Sequence, residues 1–287
     1  MSANSLERIK NYIGSMPSLP TTVAKVLEIC NSPKTSPTDL NRVISLDPVL
    51  MGRVLKLINS AYYGLGQQIT SLVRAIIMLG INTVKNLALS TAVLDNLGKK
   101  GDFRALNMEG FWRHSLAVGS TARLIARKRG VSQLKHEEYF AAGLLHDIGK
   151  IPLNNVLSAE YVGAMALSDR ERIPLYLAEK RSLDLDHGMV GGLIADAWKL
   201  DRSIGDAIRF HHSPELCPAD DRELLLAIIV ADHYVNREEI GFSGNRYPER
   251  PDPSVFEALS LGKDTLEEMS DQVNAEIEKA KVFLKIS

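Results

Sequence analysis

The sequence is poor in the features that announce several protein classes. Of its 287 residues only two are cysteine, Cys30 and Cys217, far apart in the chain. That excludes a disulfide framework and a cysteine-based zinc site. The longest apolar run, "LLLAIIVA" from Leu224 to Ala231, is far too short to span a bilayer, which takes about 20 residues. The opening "MSANSLERIKNYIG" carries no apolar signal core. Neither sign of charge dominates: 34 Lys and Arg face 35 Asp and Glu, a net charge of -1. A general binder of nucleic acid or of an anionic membrane would show a basic surplus, so neither is expected as a partner. The sequence also lacks internal repeats and low-complexity segments. Together these absences lead us to expect a soluble protein in a reducing, cytoplasmic setting.

What is present is a helical pattern. The chain is 45% hydrophobic and 24% charged, ordinary for a globular protein with a sizeable core. Apolar residues recur at spacings of three and four, and strict alternation is rare, which predicts an all-α fold. In "SPTDLNRVISLDP", Ser36 is a candidate N-cap, Pro37 suits the first helical position and Asp39 can face the exposed N–H groups. Pro48 either ends that helix or begins the next. Short helical segments continue to Gly64, Gly80 and Gly98. Longer ones are predicted near 109–129, 136–146, 157–168, 187–198, 202–211 and 222–236. A softer stretch, "GKKGDFRALN", divides the chain into an N-terminal multi-helix part (1–101) and a core (102–240). A tail (241–287) follows, with a loop and one amphipathic helix that carries Leu266, Met269, Val273, Ile277 and Phe283 on a stripe. That tail is free to pack on the core or to build a homodimer.

The polar residues with chemistry in them cluster at helix ends. Each of the seven histidines, taken singly, fits a structural or surface role. Their arrangement is more informative. His114 lies inside one helical segment, His146-Asp147 ends a second, His187 opens a third, His211-His212 end a fourth, and Asp232 lies in a fifth. Imidazoles and carboxylates from several converging helices are how helical folds build metal centres. Such N and O donors suit iron, manganese or zinc. Arg113, Arg123, Arg127, Lys128 and Arg129 read as a solvated basic helix face, and Trp112 and Trp198 as core anchors. Asp184 and Asp186 either orient His187 or serve the N-terminus of its helix.

The order His, His-Asp, His, His-His, Asp resembles the HD superfamily of metal-dependent phosphohydrolases, and "HDIGK" resembles its HD-GYP branch. "MPSLPTTVAKVLEIC", "ISLDPVLMGRVLKLINSAYYG", "ITSLVRAIIMLGINTVKNLAL" and "LDHGMVGGLIADAWKLDRSIGDAIRFHHSPE" are similar to the HDOD family of the same superfamily. The resemblance runs from about Met16 to Asn236. It implies an N-terminal helical subdomain packed on an HD-like core, in a bacterial signal-transduction module that acts on a protein partner. It also implies one or two divalent ions. His114, His146, Asp147 and Asp232 would hold the first, and Asp147, His187, His211 and His212 the second. Asp147 and Lys150 would be the catalytic residues, with Lys150 facing a phosphate of a nucleotide or other phosphoester. Two features of the HD-GYP branch are missing. Gly110 stands where a third-metal Glu would be, and the double His is followed by "SPELCPADD" instead of a GYP loop. "GNRYP", Gly244 to Pro248, comes only after Asp232. Two ions about 3.5–4 Å apart can clamp a phosphate and acidify water. The favoured reading is therefore a signalling module that retains its metal site, and the alternative is an active dinuclear phosphohydrolase. No sensor or receiver segment is visible, so the trigger is expected from a ligand or a separate protein.

Overall fold

The capping signals in the sequence set where several helices begin. A computed structural model describes residues 2–16, 19–97, 105–218, 222–262 and 264–286. Every regular element among them is helical. The N-terminal part holds α1 (Ser2–Ser15), α2 (Thr21–Cys30), α3 (Pro37–Ile44), α4 (Pro48–Ile58), α5 (Leu72–Leu79) and α6 (Ile81–Leu97). Ser36 and Asp39 form a reciprocal capping box at α3. The Asp47 side chain accepts the Leu50 N–H, so Pro48 opens α4. Gly80 ends α5 at φ +88°, a conformation that favours glycine. The softer stretch and the Gly98 stop fall largely outside the described residues.

The core follows as α7 (Met108–Lys128), α8 (His136–Leu145), α9 (Lys150–Val156), α10 (Ser158–Glu171), α11 (Leu175–Leu183), α12 (His187–Ala197), α13 (Arg202–Phe210) and α14 (Arg222–Arg237). Five helices were not individually foreseen from periodicity: α1, α2, α9, α11 and, in the tail, α15 (Pro253–Ala258). α9, α11 and α15 are nine residues or shorter, and tertiary packing supports such short helices. α1 leaves the N-terminal part to pack on α9 and α12. There Arg8 pairs with Glu160 at 3.0 Å and Asn155 donates to the Tyr12 hydroxyl at 2.8 Å.

The expected single tail helix is divided into α16 (Thr265–Glu268), α17 (Ser270–Ala280) and α18 (Val282–Ile286). Its apolar stripe persists: Leu266, Val273, Ile277 and Phe283 are all buried. The breaks let the stripe follow two surfaces. α17 packs on α7 of the core, whereas α18 reaches α4 and α6. Phe283 sits edge-on to Tyr62 and 4.6 Å from Phe140, ring centre to ring centre.

The basic face expected on α7 is only partly solvated. Arg123 is 8% exposed. Its guanidinium lies 4.1 Å from the Tyr62 ring centre and pairs with Glu137 at 3.1 Å and Glu276 at 3.5 Å. Arg127 also pairs with Glu276, at 2.8 Å. Position 123 faces α8 and α17, so the charge was drawn into a seam that joins the N-terminal part, the core and the tail. Arg113 and Lys128 remain exposed. Trp112 is buried, and Trp198 is half-buried against the same core. No single described helix is long and apolar enough to cross a membrane.

Candidate metal centre

α7 and α8 form the most extensive helix pair in the molecule, and glycine makes the contact close. A Cβ on Gly143 would stand 2.6 Å from Gly119 Cα, and one on Gly119 would stand 2.6 Å from the Phe140 carbonyl oxygen. This crossing sets His114, on α7, beside His146, just past the end of α8, with ring centres 5.5 Å apart. A second close approach explains the glycine of "HDIGK". A Cβ on Gly149 would lie 2.0 Å from the His187 carbonyl oxygen and 2.5 Å from Gly191 N. The start of α12 therefore presses His187 against the turn that carries Asp147. Asp186 caps α12 by accepting the Met189 N–H at 2.7 Å, and Asp184 ends α11 at φ 59°. These aspartates serve helix ends and do not orient His187.

The structure brings all seven sequence-predicted ligand residues together, in two groups that meet at Asp147. On one side, Asp147 Oδ2 lies 3.4 Å from His146 Nε2 and 3.9 Å from His114 Nε2. Asp232 Oδ1 lies 3.0 Å from His114 Nε2 and 3.4 Å from His146 Nε2. On the other side, Asp147 Oδ1 lies 3.2 Å from His187 Nε2 and 3.8 Å from His211 Nε2. His187 Nε2 is in turn 3.0 Å from His212 Nε2 and 3.2 Å from His211 Nε2. Within each of the triads His114–His146–Asp147 and His187–His211–His212, the donor atoms lie within 4.8 Å of one another.

The far side of each ring decides what its near side presents. His146 Nδ1 donates to the Gly143 carbonyl at 2.7 Å, and His211 Nδ1 to the Ile208 carbonyl at 2.9 Å. His187 Nδ1 donates to Glu179 Oε2 at 2.6 Å, and the His187 backbone N–H donates to the same oxygen at 2.9 Å. Carbonyl and carboxylate oxygens only accept, so each Nδ1 carries the proton and each neutral ring turns an Nε2 lone pair inward. Inward lone pairs with their outer nitrogens anchored are the arrangement of metal-binding histidines. Among the described residues, His146 Nε2 is buried without a hydrogen-bond partner, between two carboxylate oxygens. A divalent cation fits that donor set, and its N and O atoms suit iron, manganese or zinc.

The electrostatics express the same demand for positive charge. Burial raises the Asp147 carboxyl, but His146, Lys150 and His187 overcome it and hold the group well below its usual range. Asp232 is held low in the same way by His114 and His146. Burial pushes His146 down, yet Asp147 and Asp232 reverse this and lift it to about 10. Burial wins at His114, whose pKa is lowered despite Asp232. At His211 burial, reinforced by His187 and His146, brings the value down to about 3. His212 is pushed far down by burial and by His211 and His187. Where no ion is bound, the carboxylates draw a proton onto His146; an ion answers the same need with the ring neutral.

Lys150 lies against the shared carboxylate. Its Nζ is 2.6 Å from Asp147 Oδ2, and its side chain is 3% exposed. It partners the shared carboxylate and does not line the open cavity. That cavity, about 440 Å³, opens onto His211, His212 and Asp232 and is walled by Tyr176, Glu249 and Arg250. A second, of about 470 Å³, reaches His114 past Asn236, Ser243 and Asn245. The segment between the two cavities is 241–252, which contains "GNRYP". It follows Asp232 in the chain, yet it folds back over the cluster, where a loop between the double His and Asp232 would have been sought.

Three supporting residues escaped the sequence reading. Glu179 lies eight positions before His187 in a stretch with no clear periodicity, so nothing marked it. Tyr176 stacks on His212, with ring centres 4.3 Å apart and planes at 8°. Asn236 donates to Asp232 Oδ1 at 2.7 Å; its i+4 spacing on α14 was a legible signal.

A family profile for the HDOD domain matches residues 16–214. The chain belongs to the HDOD family. The crystal structure of an HDOD domain protein of unknown function from Geobacter sulfurreducens superposes on this HDOD chain with a TM-score of 0.76. It is 26% identical, and 98% of each chain is covered. A proposed phosphohydrolase from Shewanella amazonensis SB2B gives a TM-score of 0.71 at 21% identity, over 96% of this chain and 98% of its own. At that identity the likeness is one of fold. A curated protein of Treponema pallidum (strain Nichols), of uncharacterised function, is 24% identical over 224 residues. The match covers 78% of this HDOD chain but 43% of that relative, so the chain spans less than half of its length.

Proposed function

We propose that this HDOD chain binds two divalent ions and hydrolyses a phosphoester of a size that the 440 Å³ cavity admits, a nucleotide among the candidates. The observation that carries the reading is the division of Asp147. Its Oδ2 faces His114 and His146 and its Oδ1 faces His187 and His211, so one carboxylate can serve two ions. His114, His146, Asp147 and Asp232 would hold one, and Asp147, His187, His211 and His212 the other; iron or manganese is favoured, with zinc an alternative. When bound, such a pair supplies Lewis-acid charge for phosphate oxygens and lowers the pKa of water towards neutrality.

The chain's own residues set the stage for that chemistry. Glu179, the Gly143 carbonyl and the Ile208 carbonyl anchor the Nδ1–H of three rings, so that each neutral ring would offer Nε2 to an ion. Lys150 neutralises Asp147 Oδ2 from behind. Segment 241–252 and Tyr176 narrow the approach from solvent, and Arg250 offers a guanidinium to an anionic substrate at the cavity wall.

A signalling module without turnover is the second reading. The large apolar side chains Leu46, Val49 and Ile77 on the N-terminal part are 77%, 61% and 67% exposed, and side chains of this kind are what a protein partner would cover. One experiment separates the readings. Protein loaded anaerobically with iron or manganese is analysed for bound ions and for phosphate release from p-nitrophenyl phosphate and its bis-ester, with Asp147→Asn as the control. Two ions with Asp147-dependent release supports hydrolysis. Two ions without release favours signalling, and fewer than one ion per chain sinks the metal reading.

A further inference from the structure

His212 is held differently from its neighbours. His146, His187 and His211 each anchor Nδ1 on an oxygen. His114 has no such anchor, but its ring is 1% exposed and its Nε2 is bonded to Asp232. His212 is half-buried at the cavity mouth, and among the described residues the only hydrogen-bond contact of its ring is at Nε2, towards His187. What keeps its ring in place is a face: Tyr176 lies parallel to it, at 8° and 4.3 Å. Offset-parallel packing of this kind fixes a ring plane while leaving its nitrogens free.

Tyr176 is itself secured at both ends. Its hydroxyl donates to Glu249 Oε2 at 2.8 Å, on the segment that walls the cavity. The Glu249 carbonyl accepts from His233 Nδ1 at 3.1 Å, and His233 directly follows Asp232. Lys180 Nζ lies 5.1 Å from the Tyr176 ring centre and pairs at 3.1 Å with Asp186, the cap of the helix that begins at His187. One phenol therefore touches a proposed ligand of the second ion and the covering segment at once.

We infer that Tyr176 is a positioning residue: its ring holds the His212 imidazole in the plane that serves the second ion, and its hydroxyl ties segment 241–252 to that ligand. This rests on the two-ion reading. The ring and the hydroxyl do separate jobs, so two substitutions separate them. Tyr176→Phe keeps the stack and loses the tether; Tyr176→Leu loses both.

The test is titration of the metal-free protein with Co(II), followed by calorimetry and by the visible absorption of the bound ions, with far-UV circular dichroism confirming that each variant is folded. Tyr176→Leu should bind the first ion as wild type does and the second about 10–100-fold more weakly, the usual loss when the support of a ligand is removed. Its second-site cobalt spectrum should change. Tyr176→Phe should keep the wild-type spectrum and stay within about threefold in affinity, well short of that range. Wild-type behaviour in Tyr176→Leu overturns the inference, as does a Phe variant as impaired as the Leu variant. Fewer than two ions bound by wild type overturns the two-ion reading itself, and this inference with it.

Discussion

Replacing Lys150 by methionine tests how the centre balances its charge. Lys150 Nζ and Asp147 Oδ2 are 2.6 Å apart, with side chains 3% and 2% exposed. Methionine keeps most of the volume and removes the ammonium. Breaking a buried pair from one side costs about 3–5 kcal/mol, because the other charge stays behind. His146 Nε2 remains 3.4 Å from the same oxygen, so the lower end applies, about 3 kcal/mol. At about 2–4 °C per kcal/mol for a chain of this size, the metal-free variant should melt about 6–12 °C below wild type. A divalent ion reverses the sign of the problem: it needs Asp147 Oδ2, which the ammonium otherwise holds. An ion at 100 times its dissociation constant stabilises by about 2.7 kcal/mol, and more where its affinity is higher. Manganese should therefore raise the melting temperature of Lys150→Met more than that of wild type and recover most of the deficit. Scanning calorimetry of both proteins, in chelator and in manganese, measures the four values of this cycle. Equal manganese increments, or a metal-free variant as stable as wild type, would refute the reasoning.

Three further outcomes are expected. Glu179→Gln removes the charge from two hydrogen bonds to His187 and should weaken the second ion about 10–100-fold while sparing the first; equal loss at both would show that Glu179 does not act through His187. Gly149→Ala forces a methyl into the backbone of α12 and should cost about 1–3 kcal/mol, with ion uptake reduced at the second group; unchanged uptake and melting would contradict the close packing. Glu276 is raised by burial but pulled further down by Lys279 and Arg127, to a net value below its ordinary 4.5. A depressed folded pKa means that its stabilisation is complete above the unfolded value and lost as pH falls through the folded one. Urea midpoints should drop below pH 4.5, and less steeply in Glu276→Gln; identical acid limbs would remove the seam from the account.

Much of this molecule was legible before its structure. The core helices α7, α8, α10, α12, α13 and α14 lie within a few residues of their periodic patterns, because apolar residues recur along each at helical spacing, even in α7 and α8, which are buried over most of their length. Ser36 and Asp39 marked a helix start through chemistry local to four residues. Arg123 was misread for the opposite reason. On the α7 pattern alone it groups with Arg127 and Lys128, and only the arrival of Glu137 from α8 and Glu276 from the tail makes its burial affordable. The tail helix kept its stripe and lost its continuity, since a stripe records what is apolar and not which surface receives it. "GNRYP" was set aside by its place in the chain, an order that folding back over the cluster made irrelevant.

The sequence by itself determined the helical class, the family and the identity of the seven residues of the cluster, because periodicity and residue type are properties of short stretches. Tertiary structure alone decided that they meet, and how. The division of Asp147 between two groups depends on the approach of α12 to Gly149. The inward lone pairs depend on carbonyls and on Glu179, supplied by the folded backbone and a helix that periodicity did not reveal. Tyr176 and segment 241–252 close the site from positions far apart in the chain. Distances between ring nitrogens are set by helix crossings, and no spacing along a sequence encodes them.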